Sequence, residues 1–135
     1  MTYREHPKLF VSYWPPVFLC ASLIVYLSMA APPVVMSMLF SVPYGDKIGH
    51  SVAYAMLTFL CAGAFRFNTG QWAARYAFVL ALGTAFGFGV ICEWCQFYLP
   101  FRSLDRWDIL ANMVGSCIAI VVGAGPLVGQ AKKTS

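Results

Sequence analysis

Four of the five acidic residues in this 135-residue chain gather in short stretches whose spacing is helical. Asp46, His50 and Tyr54 recur every four residues, so on a helix they share one face. Glu93 and Gln96 stand three apart, and Asp105, Asp108 and Asn112 follow at three and four. Lys47 sits beside the first group, and Arg102 and Ser103 lie just ahead of the last. Carboxylates beside an imidazole are the usual parts of general acid–base chemistry. Asp46, His50, Glu93, Asp105 and Asp108 are therefore the catalytic candidates. Lys47, Tyr54, Gln96, Arg102, Ser103 and Asn112 are the substrate-binding candidates. Lys47 and Arg102 suit a phosphate, Arg by a bidentate fork. No residue is assigned as a metal ligand. A divalent metal gathered by Asp46, His50, Asp105 and Asp108 stays open, because oxygen ligands suit Mg²⁺ or Mn²⁺.

A plainer account is that these acids are helix ends. Asp46, and Asp105 or Asp108, suit N-terminal caps, where the helix dipole favours a negative charge. Capping does not explain Glu93, late in its helix, nor His50 and Asn112 a turn deeper.

Such residues need elements to hold them. Hydrophobic residues make up 60% of the chain and charged ones 10%, against about 25% charged in a soluble globular domain. The composition excludes disorder, and a net charge of +4 on so apolar a chain does not make a nucleic-acid surface. A membrane-crossing helix needs roughly 20 mostly apolar residues. The expected fold is an all-α, four-span membrane protein, one domain over 1–135, with helices at about 15–31, 47–66, 72–98 and 108–128. Pro15 and Pro16 suit a helix start, which argues for an uncleaved first span rather than a signal peptide. Pro32 and Pro33 should end it, leaving Val34–Tyr44 as a connector.

Charge sets the expected orientation. Arg4, Lys8, Arg66, Arg75, Lys132 and Lys133, with one acid, Glu5, fall on one side of such a bundle. Lys47, Arg102 and Arg106 fall on the other, with Asp46, Glu93, Asp105 and Asp108. Positive loops stay in the cytoplasm, so both termini are expected there and the acidic end faces outward. Tyr13, Trp14, Trp72 and Tyr76 mark the inner interface, and Tyr44, Trp94, Tyr98 and Trp107 the outer.

The stretches Asp46-Lys47-x-x-His50 with Tyr54, Glu93-x-x-Gln96, and Arg102-Ser103-x-Asp105-x-x-Asp108-x-x-x-Asn112 make the chain resemble the VanZ-like family of small bacterial membrane proteins. The resemblance covers roughly residues 44–120. It implies a bacterial inner-membrane location and a cell-envelope role, near lipid-linked wall precursors or teicoplanin-type lipoglycopeptides. It supplies no reaction.

Cys20, Cys61, Cys92, Cys95 and Cys117 all lie in apolar stretches and read as small packing residues. Gly83, Gly87, Gly89 and Gly115 read as close-approach points between membrane helices.

The expected function is binding, or modification, of a lipid-linked precursor or amphipathic antibiotic in an outward-facing polar pocket. The alternative is a membrane enzyme, open to metal dependence, doing acid–base chemistry on a phosphate- or ester-bearing lipid. An ion transporter is a third class, weakened because no charge chain continues to the cytoplasmic half. Membrane lipids are the expected partners; nucleic acid is not, and a homo-oligomer stays open.

Overall fold

The computed structural model describes residues 12–39, 41–100 and 105–131, without the side chains of 33, 39 and 125–131. The described residues form helices and turns with no strand. Helix α1 runs Trp14–Val25 with proline in its first turn, then widens into one π-helical turn, Tyr26–Ala30. Ala31 closes that turn through its N–H to the Tyr26 carbonyl, at 2.8 Å, and is itself extended, ψ 131°. Extended backbone is what a residue ahead of proline adopts, and Pro32 and Pro33 follow. Of the connector expected over Val34–Tyr44, Pro33–Leu39 is a short helix, α2.

Helix α3, Gly45–Phe67, opens behind Tyr44, whose φ of 59° is left-handed. A sharp turn there brings Asp46 and Lys47 onto the first turn. After the Asn68–Gly70 turn, α4 (Gln71–Arg75) and α5 (Ala77–Gln96) replace the single helix expected over 72–98. The break is at Tyr76, φ −104° and ψ 18°. No proline or glycine stands at Tyr76, so the sequence carried no signal for it. Helix α6, Arg106–Ala131, begins at Asp105, whose Oδ1 accepts the Trp107 N–H at 2.9 Å. Asp105 is thus the cap among the acids; Asp46 and Asp108 lie inside first turns.

Among the described residues three helices are long and apolar enough to cross a membrane: Gly45–Phe67, Ala77–Gln96 and Arg106–Ala124, with mean hydropathy 1.5, 1.7 and 1.7. Trp14–Ala30 is apolar but shorter. Helix α3 is central and packs on α1, α5 and α6. Small residues line these contacts: Ala64 of α3 and Ala81 and Ala85 of α5 have no exposed surface. At Gly115 of α6 a Cβ would lie 1.9 Å from the Ser51 carbonyl oxygen of α3, so the backbones touch. Close approach through small residues is how helices associate in lipid, where burying apolar surface gains nothing. The outward faces are apolar, with Leu19, Phe59, Ile91 and Val121 all exposed, while Tyr54, Thr58, Glu93, Gln96, Asn112 and Ser116 are buried inside.

Candidate functional site

Where α3 and α6 begin and α5 ends, four acids meet a lysine and a histidine. The Lys47 ammonium donates to Asp105 Oδ2 at 2.6 Å and to Asp108 Oδ1, and pairs with Asp46 Oδ2 at 3.0 Å. Asp46 and Asp105 lie on the solvent side of this cluster, with half and about a third of their side chains exposed; Asp108 is nearly buried. The Lys47 ammonium holds the Asp105 carboxyl below the usual carboxylate range.

One turn deeper, His50 Nδ1 lies 3.0 Å from Asn112 Oδ1. An amide oxygen only accepts, so with this Asn112 orientation Nδ1 is the protonated nitrogen. Nε2 then turns to Asp108 Oδ2, 3.6 Å away. Glu93 of α5 reaches in from the third side. It is 1% exposed, and among the described residues its Oε2 has no hydrogen-bond partner. One donor atom each from His50, Glu93 and Asp108 lie within 4.8 Å of one another. Ser51 Oγ donates to the Ala111 carbonyl at 3.0 Å and ties α3 to α6 beside the cluster.

The structure therefore brings together Asp46, Lys47, His50, Glu93, Asp105, Asp108 and Asn112. Gln96 is buried but turns away, its Nε2 donating to the Ser28 carbonyl in the π turn at 3.2 Å. Tyr54 packs a turn below, its ring against Gly89 and Phe88. Arg102 and Ser103 lie outside the described residues.

Three buried polar residues carried no assignment from the sequence: Ser28, Thr58 and Ser116. Thr58 donates back to the Tyr54 carbonyl at 2.7 Å, while Ser116 Oγ is buried with no partner among the described residues. The signal for Ser116 was present: Asp108, Asn112 and Ser116 continue at intervals of four. Asn112 Nδ2 is likewise buried and unpartnered.

A small cavity of about 50 Å³ adjoins His50 between the π turn, α2 and α3, lined by Ile24, Leu27, Met36, Ala53 and Tyr54 among others. A void of that size has room for water, about 10–15 Å³ of probe-occupied volume being needed for one.

The five cysteines are free thiols; Cys92 is buried and Cys95 exposed.

Comparison with known proteins corrects the family expectation. No protein-family model matches the chain, and no solved structure does. An uncharacterized protein of Schizosaccharomyces pombe is 30% identical over 81 residues, which are 60% of this chain and 48% of that protein. The chain thus spans about half the length of the curated relative it matches. A bacterial VanZ-like assignment is not supported, since the match is to a fungal protein and no family model is found. With it fall the cell-envelope and antibiotic-resistance roles that rested on that resemblance. The physical reason is that acids three and four apart at helix ends are what any polar site in a helical membrane bundle requires. Such spacing reports geometry rather than ancestry.

Proposed function

We propose that the chain is an integral membrane enzyme acting on a phosphate- or ester-bearing lipid, with His50, Glu93 and Asp108 as its reacting centre. The observation that carries this reading is Glu93: a buried, unpartnered carboxylate oxygen beside an imidazole and a second carboxylate. Ionisable groups within a membrane bundle are costly to place and mark function by default. The reaction class is hydrolysis. Water's oxygen bonds to the carbonyl carbon or phosphorus, and the ester C–O or P–O bond breaks. One water proton goes to a basic side chain and the other oxygen-bound product leaves as an alcohol, taking up that proton.

Lys47 is a positioning residue here. Its ammonium already faces three carboxylates, which disfavours the reading of Lys47 as a phosphate ligand and with it a simple anion-binding protein. The small, mostly apolar cavity beside His50 has room for the water this reaction consumes. We place four crossings in this reading, counting Trp14–Ala30, with the acidic end away from the cytoplasm by the charge asymmetry of the loops.

The test is the protein in nanodiscs of mixed phospholipids and neutral ester lipids, with extracted lipids followed by mass spectrometry. Conversion of one lipid class is expected, reduced about 100-fold or more in Glu93→Gln, as for loss of an acid–base group. Folded protein that leaves every lipid unchanged would remove the enzymatic reading.

A further inference from the structure

We infer that His50, Glu93 and Asp108 bind one divalent transition-metal ion. The inference deepens the proposed function and rests on it for the ion's use, not for its binding.

Three observations converge. The first is the His50 tautomer. With Nδ1 donating to Asn112 Oδ1, Nε2 is left to face Asp108 Oδ2 at 3.6 Å, with a Glu93 carboxylate oxygen in the same cluster. A neutral imidazole nitrogen does not attract a carboxylate oxygen; it does so only through a proton or a metal between them. A metal-bound histidine characteristically donates its other N–H to an oxygen acceptor, which fixes the ring. Asn112 is placed to be that acceptor.

The second is distance. Nε2 and Asp108 Oδ2 are 3.6 Å apart, too far for a good hydrogen bond. Zinc–nitrogen and zinc–oxygen bonds of about 2.0–2.2 Å set the edge of a tetrahedral site at about 3.4 Å. Donor atoms of all three residues fall within 4.8 Å of one another, so small side-chain rotations bring them to that edge.

The third is charge. Among the described residues the cluster holds four carboxylates, Asp46, Glu93, Asp105 and Asp108, and one ammonium, Lys47. Arg106 is exposed on the first turn of α6 and shows no pairing there. Glu93, 1% exposed, takes part in none of these ion pairs. Among the described residues Glu93 Oε2 is also an orphan, buried without a partner, and one Glu93 carboxylate oxygen lies within 4.8 Å of donor atoms of His50 and Asp108. Buried ions need a countercharge or a metal, and a divalent ion supplies it.

The donor set selects the metal. Two carboxylates and an imidazole suit a borderline ion such as Zn²⁺ or Fe²⁺ better than Mg²⁺, which prefers oxygen and keeps most of its water. Three protein ligands leave at least one position open, the pattern of catalytic rather than structural zinc sites.

The test uses tag-free, full-length protein in detergent, stripped with chelator and titrated with Co²⁺, then with Zn²⁺, Mn²⁺ and Mg²⁺ as competitors. One Co²⁺ per chain is expected, with the visible absorption of a low-coordinate ion, displaced by Zn²⁺ and not by Mg²⁺. Glu93→Gln and Asp108→Asn each weaken binding at least roughly tenfold. Cys117→Ser, which alters an exposed thiol on the outer face of α6, leaves it unchanged. If the wild-type protein takes up no stoichiometric Co²⁺, the site does not exist, whatever the variants do. If Glu93→Gln elutes as a folded species and binds as well as wild type, Glu93 is not a ligand and the inference fails. Should Glu93→Gln misfold, Glu93→Asp in its place must shift the absorption bands; unchanged bands overturn the assignment. Metal binding without lipid turnover would sink the enzymatic reading alone. Lipid turnover by protein that takes up no stoichiometric metal would sink this one alone.

Discussion

Replacing Gly115 by alanine should separate α3 from α6 and damage the site without touching any of its side chains. An added Cβ would lie 1.9 Å from the Ser51 carbonyl oxygen, 2.6 Å from its carbon and 2.8 Å from its Cα. Ordinary contact begins at 3.4 Å, so the helices must part by the difference, about 1.5 Å. The atoms met are backbone, so no side chain can swing aside. Overpacking of this kind costs about 1–3 kcal/mol and occasionally more. The same displacement lengthens the 3.0 Å bond from Ser51 Oγ to the Ala111 carbonyl, and a hydrogen bond between membrane helices is worth about 0.6 kcal/mol. The expected loss is roughly 2–4 kcal/mol. His50 lies on α3 and Asn112 and Asp108 on α6, so the His50–Asn112 contact should open too. Tryptophan fluorescence during unfolding in mixed micelles would measure the loss. Gly83→Ala and Gly87→Ala are the controls, since a Cβ at either meets nothing within 4 Å. If Gly115→Ala stays within about 0.5 kcal/mol of wild type, or Gly83→Ala loses as much, the backbone contact is not what holds these helices together.

Acid should weaken the cluster in a defined direction. Lys47 holds the Asp105 carboxyl below its ordinary range, so its contribution is complete above an unfolded value of about 3.9. It is lost as pH falls through the lower folded value. Asp105→Asn should therefore flatten the acid limb of stability measured stepwise from neutral to acidic pH; an unaltered limb would detach Asp105 from Lys47. Topology offers another check. Epitopes inserted after Ser41 and after Gly70 flank α3 and should be reached by antibody from opposite sides of sealed vesicles. Access to both from one side would mean that Gly45–Phe67 does not cross.

Composition and periodicity alone determine that this chain is helical and suited to a membrane. Long charge-free runs permit few other solutions, and intervals of three and four decide which residues share a helix face. That is why Asp46, His50, Glu93, Asp108 and Asn112 could be grouped before any coordinates were known. The same logic could not find the break at Tyr76, where no proline or glycine stands, nor the π turn at Tyr26–Ala30. It also could not say how far one helix is rotated against the next. That rotation depends on contacts between helices distant in sequence, such as Gly115 against Ser51 and Gly89 against Tyr54. Tertiary packing alone thus engages Lys47 with Asp105 and Asp108 of the distant α6 end and turns Gln96 away to Ser28. It also brings Glu93 beside His50 and Asp108, with Oε2 buried and no donor to it among the described residues.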